Sequence, residues 1–165
     1  MIRTEMPTDI LLLEQWYLKK NKQSEANYLT YLRENGLSTI SFVALNDEGN
    51  IIGHLVFSPV LMNGEDGNWQ SVSLISTHDD SDELKRELMS EGIDSLAEFG
   101  YPMVLTYDPS QIYKDVGFQL FNSRSFPHYA DLYYFELVAQ SLENIEAQSL
   151  ESRVFTFVDE SYNRH

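Results

Sequence analysis

The sequence predicts an α/β fold: a mixed sheet of six or seven strands with flanking helices, in a single domain spanning residues 1–165. Three observations carry that expectation. The β-rich runs "TISFVAL", "IIGHLVFSPVLM" and "WQSVSLIST" are separated by the turn-forming clusters "NDEGN" and "NGEDGN", the pattern of an antiparallel meander. From Ser81 to Phe99, apolar residues fall at Leu84, Leu88, Ile93 and Leu96, close to helical spacing. Gly100 ends that helix and "YPMVLTY" reads as a buried strand. Residues 72–77, the helix and residues 103–107 then form a strand–helix–strand crossover, whose two strands run parallel.

The remaining elements follow from local signals. "MIRTE" reads as a short first strand, and Pro7-Thr8-Asp9 as a helix start with Thr8 or Asp9 as cap. A second helix is expected over 25–34, with Tyr28, Leu29 and Leu32 on one side and Asn35-Gly36 as its stop. "PSQIYKDVG" reads as a short helix, followed by strands "FQLF" and "ADLYYFELV". After a polar stretch, "LENIEAQSLES", the segment "RVFTFV" reads as a last strand.

Composition narrows the function classes. The net charge of −15 sets up a field that disfavours nucleic acid, anionic membranes and polyanionic cofactors, and favours cationic or neutral partners. Such a charge also serves plain solubility. No apolar run reaches the roughly 18 residues of a membrane span, and "MIRTEMPTDI" is no signal peptide, so a cytoplasmic location is expected. The chain has no cysteine, which excludes disulfides, thiol catalysis and cysteine metal sites. No metal site is expected. Asp80, Asp82 and Glu91 fall at positions 1, 3 and 12 of a calcium loop, but Lys85 stands where that loop needs Gly. His-Glu-x-x-His, Walker and Gly-x-Ser-x-Gly motifs are missing. His54, alone in a strand, reads as structural, and His78 beside the acidic run is more open to function.

"SQIYKDVGF" is the most informative stretch. Tyr113, Gly117 and Phe118 match the Tyr-x-x-x-Gly-Phe signature of the GNAT superfamily of N-acetyltransferases, which the chain resembles over nearly its whole length. "IIGHLVFSPV", Asp108-Pro109 before the short helix and "RVFTFVDESY" are similar to one bacterial GNAT subgroup. The resemblance implies transfer of an acetyl group from acetyl-CoA to an amine, on a small molecule or a protein. It implies that Tyr113 protonates the leaving thiolate as general acid. Leu74, Ile75 and Ser76 would contact the cofactor from their strand, with Ser81 and Lys85 at its phosphate end. Asp108, at a strand end, would receive the amine. Glu65 and Asp66 are candidates for the general base. A homodimer is conceivable through the C-terminal strand's edge.

One segment departs from the family. GNAT enzymes open the helix after the fourth strand with Gln/Arg-x-x-Gly-x-Gly/Ala, whose glycines let backbone N–H groups approach the pyrophosphate. Here those positions carry Asp80, Glu83 and Lys85, and no glycine lies between Asn68 and Glu91. Asp79, Asp80 or Ser81 can instead cap the helix, and Asp82 and Glu83 suit the positive end of its dipole. Two carboxylates held against a phosphate would lower affinity on the order of a hundredfold or more. Acetyl-CoA is therefore expected to bind weakly or not at all. The alternative to an acetyltransferase is a non-catalytic module on the same fold, binding a ligand or a protein.

Overall fold

A computed structural model describes residues 1–62, 65–121, 131–139, 141 and 155–163. Strand β1 (Ile2–Thr4) leads through a 3-10 turn (Pro7–Asp9) into helices α1 (Ile10–Lys19) and α2 (Gln23–Glu34). The meander β2 (Ile40–Leu45), β3 (Ile51–Met62) and β4 (Glu65–Thr77) follows, then α3 (Asp82–Glu98), β5 (Met103–Thr106) and α4 (Gln111–Val116). The chain finishes with β6 (Gln119–Leu120), β7 (Tyr133–Glu136), β8 (Phe155–Thr156) and α5 (Val158–Asn163). Seven strands lie along one path in the order β1-β2-β3-β4-β5-β7-β6, and β8 pairs with the far end of β3. The sheet is antiparallel except between β4 and β5, which run parallel as expected.

Alternate residues of the central strands enter different cores. Phe42, Leu55 and Phe57 pack with Leu88, Leu96 and Tyr113 under α3 and α4. Their neighbours Val43 and Val56 pack with Leu13, Tyr17 and Leu29 under α1 and α2. A sheet covered on both faces loses polar alternation, which is why "FVAL" reads as a continuous apolar run. α3 lies close to the sheet at Gly92, where an added Cβ would overlap the Phe57 ring and come within 3.0 Å of Leu55.

Some expectations shift. α1 starts at Ile10, and Asp9 acts one step earlier: its carboxylate accepts the Met6 N–H at 2.7 Å and pairs with Arg3 at 2.7 Å. α2 begins at Gln23, two residues ahead of the expected start. "FQLF" contributes only two strand residues. "RVFTFV" yields the short β8, after which "VDESYN" forms α5, a helix the β-branched and aromatic run before it concealed. The polar stretch 142–152 lies outside the described residues.

Candidate functional site

The site begins with a mismatch in strand length. β4 and β5 share only two register pairs, Gln70 with Val104 and Ser71 with Leu105. β5 then stops at Thr106, and the chain turns off at Asp108 and Pro109, while β4 continues to Thr77. Among the described residues no strand pairs with that edge of β4 beyond Ser71. A bulge sharpens the divergence: the β3–β4 register steps from Val56/Leu74 to Phe57/Val72, leaving Ser73 as the extra residue. The Ser73 hydroxyl donates to Ser58, and Tyr28 Oη donates to Ser73 Oγ at 3.4 Å.

The resulting cleft has a volume of about 490 Å³. β4 residues 71–76 form its floor, and Thr106, Tyr107, Asp108, Pro109 and Tyr113 one wall. Lys22, Glu25 and Tyr28 come from the α1–α2 side, and Phe157, Val158 and Asp159 from the C-terminal segment. A smaller hollow of about 190 Å³ shares Glu25, Tyr28 and Asp159 with it.

Tyr113 projects from the first turn of α4 and is 2% exposed, with its ring edge-on to Phe118. Burial pushes its hydroxyl well above the ordinary tyrosine range and the Asp108 charge adds to this, while a hydrogen bond with Thr106 opposes it. The hydroxyl therefore stays protonated at neutral pH. Asp108 is partly engaged in the fold: its Oδ1 accepts the Ser110 N–H at 2.9 Å and the Ser110 hydroxyl at 2.6 Å, starting α4. Burial pushes the Tyr28 hydroxyl up to about 12, against its bond to Ser73. Asp159 is raised above the usual carboxylate range, first by burial and then by Glu160, although backbone N–H groups oppose the shift.

The cofactor-side candidates separate into two places. Leu74, Ile75 and Ser76 line the cleft together with Tyr113 and Asp108, whereas Ser81 and Lys85 lie outside its lining, at the start of α3. That start is occupied by the chain itself. Ser81 Oγ accepts the Leu84 N–H at 3.2 Å, and Asp82 and Glu83 stand in the first turn. Asp80 adopts a left-handed backbone, φ 53°, and its carboxylate pairs with Lys85 Nζ. Arg86 pairs with Asp115 at 3.3 Å, and Lys20 Nζ donates to the Thr77 carbonyl and to Ser76 Oγ at 3.3 Å. Lys20, Lys85 and Arg86 are thus engaged by the protein itself, while Lys22 lines the cleft. The start of α3 carries its own side-chain cap and two acidic residues in its first turn, whereas the cleft beside β4 is open.

Sequence reasoning missed Lys22, Glu25, Tyr28 and Asp159 as cleft residues. Glu25 and Tyr28 fall one turn apart on α2, a weak signal. Asp159 was masked by the strand reading of its surroundings. The side chains of Glu65 and Asp66 lie outside the described residues. His54 is fully buried, as a structural histidine should be, and His78 is exposed beside Asp79 at 3.7 Å.

No family profile matches the chain. It is 38% identical over 124 residues to the uncharacterized N-acetyltransferase YhbS of Escherichia coli strain K12, covering 73% of this chain and 74% of the relative. Its fold matches the crystal structure of Escherichia coli YhbS in complex with CoA with a TM-score of 0.74 and 32% identity, over 86% of this chain and 83% of that one. A GNAT acetyltransferase of Brucella melitensis, solved with acetyl-CoA, shares the fold with a TM-score of 0.66 at 24% identity, over 82% and 86% of the two chains. The chain belongs to the GNAT family of N-acetyltransferases.

Proposed function

We propose that this protein keeps the acyl and amine cleft of a GNAT N-acyltransferase but has filled the CoA pyrophosphate cradle with its own residues. Acetyl-CoA then binds no better than about 1 mM, or about −4 kcal/mol. The observation that carries this reading is the start of α3, where Ser81 caps the helix, Asp80 is paired with Lys85, and Asp82 and Glu83 already meet the helix dipole. In the cleft, Tyr113 is the general acid for the leaving thiolate: its hydroxyl carries the proton to be donated, and the burial that keeps it protonated also makes it a weaker acid than a free tyrosine. Leu74, Ile75 and Ser76 flank the thioester arm. Asp108 borders the place of the acceptor amine, carried on a small molecule or a protein.

Calorimetric titration with acetyl-CoA tests the reading. Replacing Asp80→Gln, Glu83→Gly and Lys85→Gly together should bring binding into a measurable range. Glu48→Gln with Glu98→Gln, a larger change in net charge made elsewhere, should not. Micromolar binding to the unmodified protein would overturn the reading. It would favour an ordinary acetyl-CoA-dependent enzyme, the second reading that the retained Tyr113 and its cleft support.

A further inference from the structure

The cleft has a side hollow whose chemistry differs from its own. Glu25, Tyr28 and Asp159 line both spaces, and Ser24 and Tyr162 complete the hollow of about 190 Å³. We propose that this hollow holds a second positive charge of the acceptor, so that the acceptor is an aliphatic amine carrying another cationic group at the far end of its chain. This rests on the reading of the cleft as the amine site of an acyltransferase, and adds to it the acceptor's class.

The charges of the hollow point to a cation. Its ionisable carboxyl groups are Glu25 and Asp159, both half-buried, and Lys22 lines the main cleft but not the hollow. Elsewhere the chain meets its carboxylates with its own cations: Arg3 pairs with Asp9, Arg33 with Glu5, Lys85 with Asp80 and Arg86 with Asp115. Among the described residues no lysine or arginine pairs with Glu25 or Asp159. Glu25 accepts the Ser24 hydroxyl at 2.9 Å, and burial raises the proton affinity of Asp159. A cation placed between them would relieve that cost of burial.

The rings of the hollow suit the same ligand. Tyr28 from α2 and Tyr162 from α5 stand 5.0 Å apart between centroids, tilted by 43°, and Tyr31 backs Tyr162 at 5.0 Å. A ring face attracts a cation, and an aliphatic chain packs on it. A neutral tail would leave the two carboxylates unmatched, and an anionic tail would be repelled by them. The hollow also sorts the two ends of such an acceptor. It favours the protonated nitrogen, whereas the nitrogen that attacks an acyl group beside Tyr113 has to be neutral. The three shared wall residues let one short chain reach both places.

The test titrates the protein with hexylamine, cadaverine and 6-aminohexanoate, which share one methylene chain and end in methyl, ammonium and carboxylate. Calorimetry reads affinity, and amide chemical shifts read the site. Cadaverine should bind about tenfold more tightly than hexylamine, and 6-aminohexanoate more weakly than either. Cadaverine should shift amides within residues 24–28 and 158–160 as well as 106–108. Glu25→Gln with Asp159→Asn should bring cadaverine down to the level of hexylamine. Glu48→Gln with Glu98→Gln, an equal change in net charge made elsewhere, should keep the preference and so separate the hollow from the overall field. Equal binding of the amines, or a preference that survives the Glu25 and Asp159 changes, overturns the assignment and leaves the amine-site reading intact. If no amine shifts amides of the cleft or the hollow, both fail. Acetyl-CoA takes no part, so the result is independent of whether the start of α3 admits a pyrophosphate.

Discussion

His54 sits at the centre of a polar cluster inside an apolar core. Its Nδ1 lies 2.7 Å from Tyr17 Oη, its Nε2 3.0 Å from Ser41 Oγ and 3.6 Å from Glu5 Oε1, and Glu5 is paired with Arg33. These residues tie α1, α2, β2, β3 and the segment just after β1 together. Burial holds the His54 imidazole neutral, with its proton affinity below the ordinary value, outweighing the pull of Glu5. Glu5 is pushed up by burial but ends below the usual carboxylate range, because His54 and Arg33 favour its charge. Both groups release protons more readily in the folded chain than in the unfolded one. Stability from His54 is therefore complete above about pH 6.5 and declines as pH falls below it; stability from Glu5 is lost at more acid pH, through its folded value. Urea unfolding at pH 7.5, 6.0 and 5.0 should show a progressive loss. His54→Gln should flatten the part between about pH 6.5 and 5, and an unchanged slope would remove His54 as its source. At the same scale, Tyr113→Phe should lower acetyl transfer by about 10²–10⁴-fold while leaving thioester binding intact. Equal losses in binding and rate would mean that the hydroxyl serves packing.

α3 shows how one element joins sequence, packing and function. Leu88, Met89, Ile93 and Leu96 form its buried face, and Gly92 lets that face approach the Phe57 ring. Alanine is the better helix former by about 1 kcal/mol, yet its methyl would overlap the ring. We expect Gly92→Ala to destabilise by about 1–2 kcal/mol net, read as a lower urea midpoint at unchanged m-value. A stabilised variant would mean that α3 moves freely on the sheet. The extent of α3 was legible because its apolar period is regular and Gly100 marks its end. The β4–β5 crossover was legible for the same reason, since a helix between two apolar runs leaves few topologies. The bulge at Ser73 was not legible, because one inserted residue leaves "WQSVSLIST" looking like any strand. Nor were Glu25 and Asp159, which meet only after α2 and α5 close on the sheet from opposite ends of the chain. Leu74, Ile75, Ser76, Asp108 and Tyr113 were legible as a group through family motifs, and propensity alone would not have joined them.

At the scale of the whole molecule, the charge of −15 acts on every approaching ligand. A phosphate site built from cations weakens as salt rises. Here the long-range field opposes the ligand, so screening should help it. Raising sodium chloride from about 20 to about 300 mM should tighten whatever residual acetyl-CoA binding the unmodified protein has, severalfold. Weakening with salt would point to cation-based recognition of the phosphates.

The self-capped start of α3 also sets how the helix responds to single substitutions. Glycine at position 83 or 85 would each cost about 1 kcal/mol of helix stability, and replacing the Ser81 cap by glycine a few tenths more. Phosphate affinity returns only once the acidic side chains are gone and the backbone is bare at several positions together. Each single step back toward a CoA cradle is therefore uphill in stability with no gain in binding to offset it. On the proposed reading, the closed helix start is therefore robust to single substitutions and opens only to several made together.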